Sequence, residues 1–193
     1  PGQAAAAGAG RAGGGRGGRG GGGAAAAPFT ARAGMQRYVW DMQSDAGLTV
    51  PPGRYTVKLT AGSWSESKPL EIKLDPRLVA DGVTTEDLEV QYRFNIRLRA
   101  TIAEAQQFTT AVRTAHGAAA EPQKKALQAI LDALVDQQGI QYPQPMLNAQ
   151  LNAVTRVSNV ADARPNNDAV RRLDDLTKQL ADLKTKAAAL GVK

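Results

Sequence analysis

The hydrophobic period of the sequence changes once, between Leu74 and Thr84, and this change constrains the fold more than any other feature. Before it, Arg54–Thr60 alternates apolar with polar residues, and Trp64–Leu74 ends in the same alternation. Such alternation is typical of half-buried strands. After it, apolar residues recur at the spacing of amphipathic helices. Because strands precede helices without alternating with them, the sequence predicts an α+β fold and argues against a parallel α/β sheet.

Three strands are predicted in the first part. The earliest, Gln36–Met42, is aromatic and β-branched, and the other two are joined by a two-residue loop at Ala61-Gly62. A β-sandwich usually has about seven strands, so three of them predict a sandwich that is incomplete at its N-terminal side. The alternating apolar residues are its predicted core: Tyr38, Trp40, Tyr55, Val57, Leu59, Leu70 and Ile72.

Four helices are predicted in the second part, with short connections that favour an antiparallel bundle. The first is expected to open at Thr84–Asp87, where either Thr84 with Asp87 or Thr85 with the acidic residues after it offers an N-cap. The predicted ranges are about 84–115, 122–139, 146–161 and a last helix after the Pro165 stop. The leucine stripe of the last helix suits the core of the bundle better than a coiled-coil seam for a partner.

Residues 1–33 differ in composition from the rest of the chain. Thirteen of the 20 glycines lie in residues 1–34, with four arginines and no acidic residue, so this segment carries +4 of the net charge of +6. Such a segment cannot bury enough apolar surface to offset the entropy of ordering it. The predicted organisation is a disordered Gly/Ala/Arg insertion or linker at 1–33, a β-sandwich portion at 34–78 and a helical tail at 79–193.

No residue is predicted to be catalytic, to bind a cofactor or to bind a metal ion, and no cofactor is expected. The chain has no cysteine, one histidine (His116) and no apolar run near the roughly 18 residues that a membrane span requires. Gly8–Gly13 matches G-x-G-x-x-G, but no strand precedes it and no helix follows it, as dinucleotide binding requires. The acidic cluster Glu86, Asp87 and Glu89 is explained by its place in the first turn of a helix.

A resemblance to a known family rests first on AGMQRYVWDM and on VPPGRYTVKLTAGSWSESKPLEIKLDPR, which is followed by the helix start TTEDL. Together with the later PMLNAQLNAVTRVSNVADARP, they resemble the C-terminal region of large bacterial sortilin-type β-propeller proteins, which are often labelled BNR-repeat glycosyl hydrolases. The resemblance covers roughly Ala33 to the end of the chain. Its shared elements are Trp40-Asp41, then Pro52–Val57, then Asp75-Pro76-Arg77 before the helices.

The resemblance implies a fibronectin- or immunoglobulin-like sandwich followed by helices, both downstream of a propeller in an exported protein. It implies a partner in that propeller or in another protein, and it places any hydrolytic site in the propeller. The chain begins at Pro1 without an initiator methionine, which fits a piece of a longer protein. The chain itself is therefore expected to be a non-catalytic accessory module. The alternative is a small stand-alone interaction protein whose Arg/Gly-rich head contacts nucleic acid, although interleaved aromatic residues for base stacking are missing there.

Overall fold

The computed structural model describes residues 34–35, 37–137, 139 and 143–192. These residues form a two-stranded antiparallel sheet and five helices, and helix predominates. The mixed strand-then-helix order is as predicted, whereas a complete sandwich is not present among the described residues. The predicted insertion at 1–33 lies outside them. The elements are β1 (Gly53–Ala61), β2 (Trp64–Ile72), α1 (Pro76–Ala80), α2 (Thr85–Ala118), α3 (Gln123–Leu134), α4 (Leu147–Ser158) and α5 (Asn167–Ala189).

Strands β1 and β2 form a β-hairpin in which Tyr55 pairs with Leu70 and Ala61 pairs with Trp64. The connecting loop is therefore Gly62-Ser63, and the predicted Ala61-Gly62 loop is wrong by one residue. Gly62 has a φ of 60°, which a glycine adopts at no steric cost. The turn thus places its glycine at the first central position, and Ala61 remains in the ladder.

The predicted strand at Gln36–Met42 is wrong for the residues described there, 37–42, which form no strand. The chain turns instead. The Asp41 carboxylate accepts a hydrogen bond from the backbone N–H of Gln43 at 3.0 Å, and Met42 has a φ of 59°. A single isolated bridge then joins Gln43 to Thr49. Local side-chain-to-backbone bonding by an aspartate competes with strand pairing, and here it prevails over β propensity.

Helix α2 begins at the predicted place because its first turn is fully capped. The Thr84 hydroxyl accepts from the backbone N–H of Asp87, while the Asp87 carboxylate accepts from the Thr84 N–H at 3.0 Å and from its hydroxyl at 2.6 Å. Arg164 also donates to this carboxylate at 2.7 Å. The hydrogen bonds from Thr84, and then those from Arg164, lower the Asp87 pKa to about 2.

The four longer helices share one apolar core. The predicted leucine stripe of α5 is buried, except that Leu190, just past the end of the helix, is partly exposed. Val157, near the end of α4, has the apolar spacing of the buried residues of that helix but is 53% exposed. The short helix α1 was not predicted, and α3 ends at Leu134, short of the predicted Gly139. The largest fully buried side chains are Leu98, Val112, Leu127, Leu134, Leu147, Leu151, Leu173, Leu176 and Leu180.

The stability of the protein should depend on pH through Asp87. Its folded-state pKa is about 2, below the ordinary value of 3.8, so its contribution is complete above the ordinary value and is lost as the pH falls through about 2. Thermal melts of wild type and Asp87→Asn between pH 6 and pH 2 test this. The difference in melting temperature should be largest above about pH 5 and should close near pH 2. A difference that stays constant to pH 2 would contradict the assignment.

Candidate interaction surface

The hairpin has one apolar face, because directly paired residues of an antiparallel ladder lie on the same side of the sheet. We call this side the apolar sheet face. The opposite side carries Arg54, Thr56, Lys58 and Thr60 with their β2 partners. Two charged residues of the apolar side, Glu66 and Lys68, neutralise each other in an ion pair of 2.7 Å. The apolar sheet face consists of Tyr55, Val57, Leu59, Ala61, Trp64, Leu70 and Ile72.

The apolar sheet face is not a core, and its predicted role as one is wrong for the described residues. Val57 and Leu59 are each 53% exposed, and Trp64 is 50% exposed. Tyr38, also assigned to the core, is exposed, while Trp40, Tyr55, Leu70 and Ile72 are only half-buried. The alternation was interpreted correctly as a strand pattern. Burial requires a second layer, and among the described residues no further strand pairs with the hairpin.

One end of the apolar sheet face is partly covered. The Trp40 ring packs edge-on against Tyr55, with ring centroids 6.1 Å apart at an interplanar angle of 65°. The Trp40 indole N–H donates to the Gln43 carbonyl at 2.9 Å, and the Tyr55 hydroxyl donates to the Pro51 carbonyl at 2.6 Å. The aromatic pair therefore joins the base of the hairpin to the segment that precedes it.

That preceding segment, residues 42–50, is here called the docking loop. It is closed by hydrogen bonds from the Val50 N–H to the Met42 carbonyl and from the Ser44 N–H to the Leu48 carbonyl, both at 2.9 Å. Leu48 is 8% exposed. Arg99 of α2 donates to the carbonyls of Ala46 and Gly47. The guanidinium group of Arg99 thus joins the loop to α2.

Two buried amide side chains lie on the same helix, one and two turns before Arg99. Gln91 donates to the carbonyls of Ser158 at 2.9 Å and Ala161 at 2.7 Å. Asn95 donates to Asn159 at 3.2 Å and accepts from the Ser158 hydroxyl at 2.9 Å. Both bind the end of α4, where backbone carbonyls lack partners within the helix. Sequence reasoning missed them because it searched this stripe of α2 for apolar residues only. Polar residues at core spacing were the available indication.

A groove of about 500 Å³ lies between the docking loop, the linker after β2 and α2. Arg99 and Asn95 line it together with Met42, Leu74 and Tyr92. Its lining mixes apolar and polar groups; Arg99 already binds backbone carbonyls, and Asn95 already binds the side chains of Ser158 and Asn159. The groove therefore marks the boundary between the hairpin-bearing segment and the helices.

The acidic residues weighed as candidates in the sequence have structural partners. Asp87 pairs with Arg164 at 2.7 Å, and Glu89 pairs with Arg93 at 2.8 Å. His116 is partly exposed in the last turn of α2. The G-x-G-x-x-G match at 8–13 lies outside the described residues.

In the described part of the chain, no group of three or more His, Asp or Glu side chains is arranged to hold a metal ion. None of the described helices is both long enough and apolar enough to span a membrane. No protein family profile, no curated protein and no solved structure matches the chain. The apolar sheet face, positioned by the docking loop, is accordingly the strongest candidate for a functional surface.

Proposed function

We propose that this chain is a non-catalytic C-terminal accessory module of an exported sortilin-type β-propeller protein of the BNR-repeat, glycosyl hydrolase-like kind. Its role is to pack against the propeller, or against another protein partner, and to stabilise or position it. The hydrolytic or binding site of the parent protein would lie in the propeller. The resemblance of residues 33–193 to that C-terminal region motivates the choice of parent.

The observation that carries the proposal is the exposure of the apolar sheet face. Val57, Leu59 and Trp64 lie on the same side of the hairpin, and each is about half exposed or more. An isolated two-stranded sheet is at best marginally stable in water, and contiguous exposed apolar patches commonly mark interaction sites. By contrast, the described helices already bury their apolar stripes against one another. The unmet packing requirement therefore lies in the hairpin.

The finer fold is part of the same proposal. The hairpin is two strands of a fibronectin- or immunoglobulin-like sandwich, and the opposing sheet comes from polypeptide that precedes Pro1 in the parent. Facing sheets pack about 10 Å apart with interdigitating apolar side chains. The alternation of Tyr55, Val57 and Leu59 suits such an inner face. The ion pair between Glu66 and Lys68, opposite Leu59 and Val57, would keep the two charges of this side paired with each other.

The test is to sequence the source DNA upstream of Pro1 and to compare two proteins by hydrogen exchange. One is the 193-residue chain, and the other begins at the natural start of its domain. In the longer protein, amides of β1 and β2 should exchange more slowly than in the 193-residue chain by a factor of about a hundred or more, because they join a cooperative core. Peptides from α3 are the matched control and should be unchanged. A start codon a few residues upstream, or equal exchange of the hairpin in both proteins, would refute the proposal.

The competing hypothesis is contact between the arginine-rich head and nucleic acid, motivated by four arginines without an acidic residue in residues 1–34. Phosphate neutralisation would make binding steeply dependent on salt. Filter binding of single-stranded RNA to the full chain, and to a variant lacking residues 1–27, separates the two hypotheses. The accessory-module proposal expects weak binding by both proteins. Tight, salt-sensitive binding that the deletion abolishes would favour a nucleic-acid role instead.

A further inference from the structure

Three polar residues of α2 occupy positions four residues apart: Gln91, Asn95 and Arg99. Residues at this spacing lie one above the other on the same side of a helix. All three bind groups that are distant in sequence, and none forms its contact within α2. We call this row the polar ladder.

The ladder contacts two separate segments. Gln91 and Asn95 bind Ser158 and the connector that follows α4, residues 159–166, whereas Arg99 binds the docking loop at Ala46 and Gly47. The connector is held a second time by Arg164, which pairs with Asp87 at 2.7 Å and with Glu86 at 3.2 Å. Arg99 supplies the polar contacts that the described helices make with the docking loop. The two segments are therefore bound by different residues of α2.

We infer that Arg99 is a latch that sets the orientation of the β-hairpin on the helical bundle, and that it can be released without unfolding the bundle. Two features of the chain carry this orientation from the latch to the hairpin. Pro51-Pro52 directly follows the docking loop, and the proline ring fixes the backbone φ at each of these residues. The Tyr55 hydroxyl then binds back to the Pro51 carbonyl at 2.6 Å.

The chemistry of the latch favours arginine specifically. Its planar guanidinium group presents a rigid fork of N–H donors, and here two different terminal nitrogens donate to consecutive carbonyls. Hydrogen bonds from a charged donor are about twice as strong as neutral ones. Lysine has a point charge on a flexible stem and cannot reproduce the fork, so Arg99→Lys should retain only part of the effect.

The test uses hydrogen exchange of the full 193-residue chain at low micromolar concentration. The informative amides of the docking loop are those of Ser44, Gly47 and Val50, each of which donates a backbone hydrogen bond within it. In Arg99→Ala, their exchange should accelerate about tenfold or more, while peptides from α3 and α5 remain within about twofold of wild type. Arg99→Lys should be intermediate. Arg93→Ala, which removes an exposed ion pair on the same helix, is the matched control and should leave the docking loop unchanged.

A second variant separates latch release from general destabilisation. Gln91→Ala removes the first residue of the polar ladder and should accelerate amide exchange in the connector at 159–163. Amide exchange in the docking loop should stay near its wild-type rate. Acceleration of the docking loop by Arg99→Ala alone, and of the connector by Gln91→Ala alone, is the expected result. Docking-loop exchange in Arg99→Ala within about twofold of wild type, or the same global acceleration in both variants, would overturn the inference.

Discussion

Replacing Leu98 by alanine is expected to lower the free energy of unfolding by about 2–5 kcal/mol. Leu98 is 1% exposed and lies on α2, the helix that supplies core residues from Phe94 to Val112. The truncation removes buried apolar surface and leaves a cavity that close-packed neighbours fill only in part. Because small domains have total stabilities of roughly 5–15 kcal/mol, this one change consumes a large share of the total. Urea titration followed by circular dichroism measures it.

Ile96→Ala provides the matched control, since Ile96 is on the same helix, has the same number of carbon atoms as Leu98 and is 36% exposed. Alanine also has the higher helix propensity. We expect a change below about 1 kcal/mol for this variant. Equal losses for Leu98→Ala and Ile96→Ala would mean that the core of the bundle is not where the structure places it.

Replacing Leu59 by lysine is expected to have opposite consequences in two proteins. In the 193-residue chain Leu59 is 53% exposed and is paired with Glu66. The lysine should reduce self-association through the apolar sheet face, because charge protects exposed sheets from pairing with other chains. Its effect on stability there should stay within about 0.5 kcal/mol. In the longer parent, where we propose that this face is covered, burying the charge should prevent the sandwich from packing.

Thr60→Lys is the control for position, since Thr60 is the next residue and lies on the polar side of the same strand. It should change neither self-association nor packing in either protein. Sedimentation velocity of the short chain and thermal melts of the longer one are the measurements. If Leu59→Lys leaves the self-association of the 193-residue chain unchanged, the chain does not self-associate through the apolar sheet face. An unchanged melt of the longer protein would show that the face stays uncovered in the parent.

The helices were predictable because their determinants are local. A threonine N-cap with acidic residues in the first turn of α2 was expected from the sequence, and Thr84 takes that place; the leucine spacing of α5 identifies its buried side without knowledge of its partners. Strand β1 was predictable for the same reason, because alternation is a property of consecutive residues. Residue-level errors occurred where a turn competed with an extended conformation, as at Asp41 and at Gly62.

Burial in the sheet and the polar contacts of α2 could not be read from the sequence. Alternation shows that Val57 and Leu59 share a side, but whether that side is covered depends on a second layer. Likewise, Gln91 donates to carbonyls and Asn95 bonds the side chains of Ser158 and Asn159 at the end of α4, more than 60 residues later. The spacing of these polar residues on α2 is visible in the sequence, but their partners, more than 60 residues later, are not. The candidate surface therefore emerged from the exposure of residues whose pattern had predicted a core.

The contact between Arg99 and the docking loop also has a consequence for the timing of biosynthesis. Arg99 follows Ala46 by 53 residues, so at about 5–20 residues per second the ribosome adds it roughly 3–10 s after the loop. Because the chain leaves the ribosome in sequence order, the hairpin emerges before its anchoring arginine, with its aromatic and aliphatic side chains uncovered. A chaperone that binds short apolar segments would meet Trp64 before the chain can hold its own hairpin in place.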